Sequence, residues 1–314
     1  MRFLVTGGGG FIGSNLVGEL LRQNHTVRVL DNFSTGKREN LEEYGRKVDV
    51  LDGDIRSYHV VREAVAGMEV VLHEAALPSV PRSVKDPISS NDVNVVGTLN
   101  VLHAAKDAGV RRVVYASSSS VYGDTTELPK HEEMVPRPLS PYAVSKLAAE
   151  QYCDVFALLY GLETVCLRYF NVFGPRQDPT SQYSAVIPKF ITAMLHGQSP
   201  VIFGDGEQTR DFTFVQNVIA ANLLAATAPL KVGLIVNCAC NDRVSVNGLV
   251  DQLNAILGVT IRATYAEKRT GDIVDSFASV EKAKKFLGYT PTVDFTSGLR
   301  TTVDWYKSRL DHSK

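Results

Sequence analysis

Short apolar segments alternate with amphipathic stretches through the first half of this 314-residue chain. The apolar segments are rich in Val, Leu or Ile and end near small or polar residues: RFLVTG, TVRVLD, VDVLDGD, EVVLHEA, RRVVYAS and ETVCLRYF. Helical patterns such as GSNLVGELLRQN and SYHVVREAVAG lie between most of them. This spacing indicates right-handed βαβ units, and the unbroken apolar character of the strands indicates burial on both faces. We therefore predict an α/β fold with a doubly wound parallel sheet.

The rhythm of the sequence changes after about residue 170. The stretch NVFGPRQDPTSQYS is rich in Pro, Asn, Gly and Ser and indicates a long loop. Two short apolar pieces, PVIFGDG and LIVNCA, follow it, and a closing helix is expected near VEKAKKFLG. The prediction is a nucleotide-binding domain over residues 1–170 and a smaller C-terminal α/β lobe for the substrate over residues 171–314. Some segments of that lobe are expected to return to the main sheet.

Composition narrows the classes of function. A net charge of −1 gives no electrostatic footprint for nucleic acid or for an anionic membrane surface. No stretch approaches the roughly 18 apolar residues of a membrane span, and the opening MRFLVTGG is too short an apolar run for a signal peptide. The four cysteines show neither a disulfide framework nor zinc spacing, and the seven histidines form no HExxH cluster. We expect a cytoplasmic protein without metal, nucleic-acid or membrane partners.

The glycine-rich turn VTGGGGFIGSNL joins the first predicted strand to the first predicted helix. Gly7, Gly10 and Gly13 fit the pattern GxxGxxG, whereas Gly8, Gly10 and Gly13 fit GxGxxG, and the sequence leaves both registers open. In either register glycine backbone lies against a pyrophosphate at a helix N-terminus, where free N–H groups and the dipole favour anions. The context of strand, turn and helix predicts a Rossmann-type dinucleotide site, with a tight structural turn as the alternative.

Two acidic residues follow the next predicted strands. Asp31 ends the second strand, 18 residues after Gly13, and a carboxylate there bonds a ribose 2′-OH and repels a 2′-phosphate. NAD is therefore favoured over NADP, although Lys37 and Arg38 lie close by and weaken the preference. Asp54, which closes LDGD, is predicted to meet the adenine ring, and the alternative role is that of a helix cap.

The segment LSPYAVSKLAAEQ contains a candidate catalytic pair. Ser140 can cap a helix whose first position suits Pro141, and Tyr142 and Lys146 then lie on one face. The pKa of a phenol is near 10, roughly three units or about 4 kcal/mol above that of a useful base. A neighbouring ammonium, with a cationic nicotinamide close by, lowers that pKa. The pair alone occurs by chance in many helices, but here it follows an NAD-type turn and a serine-ended strand.

Together these motifs resemble the extended short-chain dehydrogenase/reductase family, and within it the nucleotide-sugar 4-epimerases. The resemblance covers nearly the whole chain, through TGGGGFIGSNL, LDNFSTG, GDI, HEAALPSV, NVVGTLNVL, SSSSVYG, PYAVSK, LRYFNVFGPRQDP, GDGEQTRDF and RTGDIVDS. The stretches AALPSVPRS and NVFGPRQDP are most similar to the subgroup acting on UDP-N-acetylhexosamines.

The resemblance implies that NAD stays bound through the catalytic cycle. It also implies a structural role for His73. The cofactor-binding residues that it implies are Gly7, Gly10, Phe11, Ile12, Gly13, Asp31, Asn32, Ser34, Thr35, Gly36, Asp54, Ile55, Ala75, Ala76, Asn94, Tyr142, Lys146 and Phe170.

The mechanism implied by the resemblance is an oxidation and reduction at one carbon. Tyr142 as phenolate takes the proton of the sugar 4-OH while the C4 hydride passes to the nicotinamide, and the 4-keto sugar then rotates and takes the hydride back on its other face. Lys146 lowers the tyrosine pKa and bonds the nicotinamide ribose. A serine bonds the 4-oxygen; counting back from VYG selects Ser118, whereas strand alternation alone does not decide, and an error of one selects Ser119.

The implied substrate-binding residues are Ser118, Tyr142, Asn171, Arg210, Arg269, Asp272 and Ser276. The two arginines match phosphate-binding positions, Asp272 matches a ribose-binding carboxylate, and Asn171 matches a residue at the diphosphate. Members restricted to UDP-glucose and UDP-galactose tend to carry a tyrosine at the position of Ser276. A small residue leaves room for a 2-acetamido group, so UDP-GlcNAc and UDP-GalNAc are expected substrates beside the plain hexoses, unless Ser276 is simply a small loop residue.

Other activities on this fold are distinguished by a few residues. The 4,6-dehydratases carry Thr-Asp-Glu where this chain has Ser118, Ser119 and Ser120, which argues against them. UDP-glucuronate decarboxylases share the serine, tyrosine and lysine and stay open as an alternative. Non-catalytic NAD-binding sensors typically lose the tyrosine or the lysine, and a dehydrogenase that releases its product would exchange its cofactor. By resemblance, a homodimer is expected through a bundle of the helices containing NVVGTLNVLHAAK and PYAVSKLAAEQ.

Overall fold

The computed structural model describes residues 1–179, 185–229, 233–267 and 275–311. Its strands are β1 (Arg2–Thr6), β2 (Thr26–Asp31), β3 (Val48–Asp52), β4 (Val70–His73), β5 (Arg112–Ser118), β6 (Glu163–Tyr169), β7 (Val172–Phe173), β8 (Val201–Phe203), β9 (Thr209–Arg210), β10 (Thr213–Phe214), β11 (Leu234–Cys238), β12 (Val244–Ser245), β13 (Thr264–Ala266) and β14 (Asp275–Ser276). Seven of them form one parallel sheet in the order β3-β2-β1-β4-β5-β6-β11. The strand order reverses between β1 and β4, which confirms the predicted Rossmann-type sheet and places a crevice at the carboxyl ends of its strands.

Helices cover both faces of this sheet. The α-helices are α1 (Phe11–Arg22), α2 (Glu39–Glu42), α3 (Tyr58–Val65), α4 (Val80–Lys85), α5 (Pro87–Asn91), α6 (Gly97–Asp107), α7 (Pro141–Tyr160), α8 (Val186–Leu195), α9 (Val215–Thr227), α10 (Val246–Leu257), α11 (Glu281–Leu287) and α12 (Phe295–Asp311). Short 3₁₀ turns lie at Gly45–Lys47 and Ser119–Tyr122, and a π-helical turn at Asp92–Val96 leads into α6. None of the described helices has both the length and the apolar character needed to span a bilayer.

Alternation along the strands sends side chains to two separate apolar cores. On β1, Phe3 and Val5 belong to the larger core with α1 and α9, whereas Leu4 belongs to a smaller core with α3, α6 and α7. On β5, Val114 packs into the larger core and Tyr115 into the smaller one. Burial on both faces explains why these strands are continuously apolar in sequence.

The second half of the chain contributes to both parts of the fold. The segment LIVNCA forms β11, which pairs in parallel with β6 and completes the main sheet, and α9 packs against α1. The remaining short strands form a small three-stranded sheet in the order β12-β9-β14 and two strand pairs, β7 with β10 and β8 with β13. Helix α12, which the sequence pattern did not predict, follows the expected helix α11. The division of the chain near residue 170 stays a prediction.

Candidate active site

A cavity of about 540 Å³ lies at the carboxyl ends of the central strands. Many residues predicted from the sequence line it: Gly7, Gly10, Phe11, Ile12, Gly13, Asp31, Asn32, Ser34, Thr35, Gly36, Asp54, Ile55, Ala75, Ala76, Ser118, Tyr142 and Asn171. Other predicted residues are described but do not line it: Asn94, Lys146, Phe170, Arg210 and Ser276. Arg269 and Asp272 lie outside the described residues.

The geometry of the glycine turn favours the GxxGxxG register. Gly7 has a φ of 70°, and a Cβ there would lie 2.7 Å from the backbone nitrogen of Ala75. A Cβ on Gly13 would lie 2.2 Å from the carbonyl oxygen of Gly7, so helix α1 approaches the turn too closely for any side chain. Gly8 instead packs against the side chain of Val29 and does not line the cavity.

The start of α1 fits a pyrophosphate. Gly10 precedes the helix without a side-chain cap, and the first-turn residues Phe11, Ile12 and Gly13 line the cavity. Backbone N–H groups at an uncapped helix start are suited to phosphate oxygens, and the helix dipole adds to the attraction. This end of the cavity therefore has the features that a dinucleotide requires.

Asp31 joins the glycine turn to the loop after β2. Its Oδ2 accepts a hydrogen bond from the backbone N–H of Gly9 at 2.8 Å, and its Oδ1 accepts one from Phe33 at 2.8 Å. Burial raises the pKa of Asp31, and the two backbone hydrogen bonds oppose that rise. A carboxylate in this position favours a ribose hydroxyl and disfavours a 2′-phosphate, as the sequence predicted.

The two basic residues after this loop are engaged by carboxylates. Lys37 Nζ lies 3.8 Å from Glu39 Oε1 and 3.9 Å from Asp178 Oδ2. Arg38 forms an ion pair with Asp52. Because both cations have acidic partners, they do little to offset the preference of Asp31 for NAD.

Asp54 is held by side chains at the edge of the cavity. It accepts hydrogen bonds from Asn32 Nδ2 at 2.8 Å and from Arg56 Nη2 at 2.7 Å. The hydrogen bond from Arg56 is the main cause that lowers the pKa of Asp54 to about 2. Helix α3 has Ser57 as its N-cap residue, so the alternative role of Asp54 as that helix's cap is wrong.

Helix α7 presents the tyrosine and lysine to the cavity region. Ser140 Oγ accepts a hydrogen bond from the backbone N–H of Ala143 at 3.2 Å, and Pro141 is the first helical residue, as predicted. Tyr142 therefore lies in the first turn and lines the cavity, and Lys146 lies one turn later with Nζ 5.9 Å from the tyrosine ring centroid. Lys146 is buried beneath the wall and donates a hydrogen bond to the carbonyl oxygen of Ala116 at 2.7 Å.

Burial dominates the ionisation of this pair. It raises the pKa of Tyr142 to about 12, against the opposing effect of a hydrogen bond with Ser118. It also lowers the pKa of Lys146 to about 8, which the charges of Glu74 and Glu150 oppose. The pKa of Tyr142 is set here by burial and by Ser118, so the expected lowering of that pKa by Lys146 stays a prediction for the cofactor-bound protein.

The four serines divide into different environments. Ser117 donates a hydrogen bond to Glu150 on the buried side of the wall. Ser118 Oγ accepts hydrogen bonds from the backbone N–H of Ser120 at 3.1 Å and from Ser120 Oγ at 2.9 Å. Its interaction with Tyr142 lowers the pKa of the tyrosine. Ser119 also lines the cavity. The contact with Tyr142 favours Ser118 as the serine of the site, and its catalytic role stays a prediction.

Asn94 and Phe170, which were predicted to bind the cofactor, do not line the cavity. Asn94 Oδ1 accepts a hydrogen bond from the backbone N–H of Leu77 at 2.8 Å, and its Nδ2 donates to Ser145 Oγ at 3.0 Å. This links the turn after β4 to α7. The side chain of Phe170 is fully buried in the larger core, and its predicted contact with the cofactor stays a prediction.

His73 has the structural environment that was expected of it. Its ring nitrogens lie 2.7 Å from Thr6 Oγ1 and 2.9 Å from Thr98 Oγ1. Burial lowers the pKa of His73 to about 3, so the ring is neutral near pH 7.

Three of the predicted substrate residues, Asn171, Arg210 and Ser276, meet at the small sheet formed by β9, β12 and β14. Arg210 and Ser276 are register partners of the parallel strands β9 and β14. Asn171, in the cavity wall, donates a hydrogen bond to the carbonyl oxygen of Asp211 at 3.0 Å, and Asp211 donates its backbone N–H to the carbonyl oxygen of Ser276. Asp211, which follows Arg210 in the chain, is therefore hydrogen-bonded to both Asn171 and Ser276 and links the three predicted positions.

Comparisons with known proteins agree with this geometry. The family model described as "NAD dependent epimerase/dehydratase family" matches residues 3–239. The chain belongs to this family. A UDP-glucose 4-epimerase of Mycolicibacterium smegmatis is 38% identical, with 98% of this chain and 99% of that protein covered.

Solved structures with the same fold carry related names. The UDP-N-acetylglucosamine 4-epimerase of Methanobrevibacter ruminantium, in complex with UDP-N-acetylmuramic acid, has a TM-score of 0.94 and 39% identity over 98% of both chains. The UDP-glucose 4-epimerase of Thermus thermophilus, in complex with NAD, has a TM-score of 0.89 and 37% identity over 98% of this chain and 99% of the other. Membership of the family, together with the glycine turn and Asp31, establishes NAD as the cofactor.

Several cavity residues of this epimerase/dehydratase family member were missed in the sequence. Glu74 and Tyr169 line the cavity, and the tyrosine hydroxyl donates a hydrogen bond to Glu74 Oε1 at 2.7 Å. Arg176, in the loop NVFGPRQDP, also lines it and donates a hydrogen bond to the carbonyl oxygen of Ser14 in α1 at 2.9 Å. The motifs HEAAL and NVFGPRQDP were recognised as segments, but nothing in their spacing indicated which side chains would face the cavity.

Proposed function

We propose that this protein interconverts UDP-hexoses that differ in configuration at C4, using NAD as a resident cofactor. One observation carries the proposal. Tyr142 and Ser118 both line the wall of the cavity to which the glycine turn and Asp31 also belong, and a hydrogen-bonding interaction with Ser118 lowers the pKa of Tyr142. The names of the similar proteins support the same substrate class.

The protein's own residues handle the proton and hold the sugar. Tyr142 takes the proton of the 4-OH as the 4-keto sugar forms, and it returns a proton when the hydroxyl is restored. Ser118, held by Ser120, hydrogen-bonds the 4-oxygen in both configurations. Lys146, in its charged form beneath the wall, favours the phenolate of Tyr142. NAD, when bound, accepts and returns the C4 hydride and brings a positive charge into the cavity.

The diphosphate of the substrate is assigned to the small sheet beside the cavity. Arg210 is half-buried there, and Asn171 extends from that region into the cavity wall. A guanidinium suits phosphate oxygens because its N–H groups form a rigid fork. Arg269 and Asp272 remain predicted contacts of the diphosphate and the ribose.

Acceptance of N-acetylated hexosamines is part of the proposal. Ser276 is buried at the paired edge of β14, where a tyrosine ring would need much more space. We expect Ser276→Tyr to lower the ratio of UDP-GlcNAc to UDP-glucose turnover about tenfold, measured by NMR with both sugars under the same conditions. An unchanged ratio in a folded variant would contradict the role of Ser276.

The decisive experiment is turnover without added cofactor. Purified protein is incubated with UDP-GlcNAc, UDP-glucose or UDP-glucuronate, and the anomeric protons are followed by NMR. We expect signals of UDP-GalNAc and UDP-galactose. Loss of the carboxyl carbon from UDP-glucuronate, with no epimer of the other two sugars, would favour the decarboxylase alternative instead. No reaction by folded protein supplied with NAD would overturn the proposal.

A homodimer is proposed on the basis of an exposed apolar stripe on α7. Val144, Tyr152, Val155 and Leu159 are exposed and lie at the spacing of one helix face, and Val96 next to α6 is exposed as well. A contiguous apolar face of this kind is suited to a second copy of the chain. We expect Val155→Glu to shift the protein to a monomer in sedimentation experiments. The cytoplasmic location stays a prediction from composition.

A further inference from the structure

The loop after β7 reaches the cofactor end of the cavity, although it belongs to the second half of the chain. Residues 176–178 and residues 34–37, which follow β2, line the cavity together with the glycine turn. We call residues 175–178 the cofactor strap. A dinucleotide at the glycine turn is therefore bordered by two separate stretches of chain, and the contacts of the strap decide how easily it leaves.

Two hydrogen bonds join the cofactor strap to the first turns of α1. Asn15 Nδ2 donates to the carbonyl oxygen of Pro175 at 3.1 Å, and it also donates to the carbonyl oxygen of Phe11 at 2.8 Å. Arg176 Nη1 donates to the carbonyl oxygen of Ser14 at 2.9 Å. The strap is therefore attached to the helix whose uncapped start is suited to a pyrophosphate.

Two ion pairs join the cofactor strap to the chain that follows β2. The Arg176 guanidinium pairs with Glu43, and its central carbon lies 5.6 Å from the centroid of the Tyr44 ring. Asp178 Oδ2 lies 3.9 Å from Lys37 Nζ. The side chain of Arg176 is 14% exposed and that of Glu43 is 60% exposed, so water screens their attraction less than it screens a wholly exposed pair.

The second half of the chain holds the cofactor strap from its other side. The hydroxyl of Tyr306, on α12, donates a hydrogen bond to the carbonyl oxygen of Gln177. Gln177 Nε2 donates to the carbonyl oxygen of Val172 at 3.2 Å. Arg176 has a φ of 70°, a conformation that a residue with a side chain keeps only where its surroundings hold it. The strap is thus a constrained bridge between α12 and α1.

We propose that Asn15, Glu43 and Tyr306 are positioning residues that retain NAD by holding the cofactor strap at the cavity. All three are described residues outside the cavity wall, so they act on the cofactor through the strap. Because Lys37 and Asp178 join the strap to the loop after β2, NAD between these segments leaves only when their contacts open. This inference goes beyond the proposed function, since it depends on the cofactor and not on which sugar is converted.

The test measures how fast the cofactor leaves. Protein loaded with NADH is mixed with an excess of NAD, and the fluorescence of bound NADH is followed over time without any UDP-sugar. Glu43→Gln removes one charge of the ion pair, Tyr306→Phe removes the hydrogen bond from α12, and Asn15→Ala removes the hydrogen bond from α1. We expect each change to raise the release rate about fivefold, the effect of one partly exposed ion pair or one hydrogen bond.

Two controls separate the cofactor strap from general effects of charge and of the glycine turn. Glu42→Gln removes the same charge from the preceding, equally exposed residue, and its release rate is expected to stay within about twofold of the parent's. The association rate of NADH with protein stripped of its cofactor is expected not to fall in Glu43→Gln or Tyr306→Phe, because the glycine turn is unchanged. Added salt should raise the release rate of the parent more than that of Glu43→Gln.

The outcomes decide this inference separately from the proposed function. Release at the parent's rate in Glu43→Gln or in Tyr306→Phe, or an equal rise in Glu42→Gln, would overturn it. Slower association with unchanged release would overturn it as well, since that result points to the glycine turn. Because the measurement contains no sugar, a parent protein that does not epimerise UDP-hexoses would overturn the proposed function and leave the release rates to decide the role of the strap.

Discussion

The two ends of the cavity differ in whether backbone atoms or side chains form their walls. The cofactor end is made largely of backbone, because Gly7 lies too close to the backbone of Ala75, and Gly13 too close to that of Gly7, for either glycine to carry a side chain, and because the first turn of α1 is uncapped. The catalytic end is made of side chains, since Ser118 and Tyr142 are presented by the end of β5 and the first turn of α7. One end depends on shape, and the other depends on individual polar atoms.

This difference predicts that the two ends fail in different ways. We call the glycine turn and the first turn of α1, residues 7–13, the backbone cradle. A change at the catalytic end leaves this cradle intact, so the protein keeps its cofactor and loses turnover. A change in the cradle moves backbone, so the protein loses its cofactor, and turnover falls as a consequence. Cofactor content and turnover, measured on the same sample, therefore separate the two cases.

The largest effect is expected from Tyr142→Phe. Loss of the hydroxyl removes the group that exchanges the substrate proton, which we expect to lower kcat by about 10²–10⁴-fold without loss of bound NAD. Turnover is followed by NMR, and cofactor by its absorbance after release from the denatured protein. Tyr265→Phe is the control, because the hydroxyl of Tyr265 is exposed and donates to Asn247 Oδ1 away from the cavity. Retained activity in Tyr142→Phe would contradict the assignment of the proton to this residue.

A smaller effect, on binding, is expected from Gly13→Ala. The added Cβ would lie 2.2 Å from the carbonyl oxygen of Gly7, so the turn or the start of α1 must shift. We expect a loss of roughly 3 kcal/mol of NAD binding free energy, about 10²-fold in Kd, measured by calorimetry on protein stripped of its cofactor. Gly248→Ala is the matched control in α10, where the nearest atom to the added Cβ is Ser245 Oγ at 3.2 Å. Equal NAD affinity in Gly13→Ala and the parent would show that the cradle is not built on backbone contact.

The cofactor end could be predicted from the sequence because its information is local. The glycine turn and Asp31 lie within one βαβ unit, and the start of α7 follows from Ser140 and Pro141 alone. These features depend on backbone geometry and neighbouring residues, which fixed spacing encodes. The choice between the two glycine registers needed the structure, since only the fold shows that Gly7, with its φ of 70°, lines the cavity and that Gly8 does not.

The rest of the site could not be predicted because its contacts are long-range. Asn222, Tyr169 and Glu74 come from α9, the end of β6 and the end of β4, and only the folded sheet brings their side chains together. The ion pair of Arg176 with Glu43 likewise joins residues far apart in the chain. Ionisation is missed for the same reason, because the pKa of Tyr142 is set by burial, which the spacing of a tyrosine and a lysine does not reveal.

Substitutions in the four serines, residues 117–120, give the smallest predicted effect and the sharpest test of the catalytic end. Ser118→Ala removes the hydroxyl that lowers the pKa of Tyr142 and is held by Ser120, and the loss of one hydrogen bond to the reacting oxygen is expected to lower kcat about tenfold. Ser119→Ala is the adjacent control and is expected to stay within about twofold of the parent. Both variants should retain NAD, because the cradle is made of backbone at the other end of the cavity. A larger loss in Ser119→Ala than in Ser118→Ala would move the predicted contact with the 4-oxygen by one residue and leave the comparison between the two ends intact.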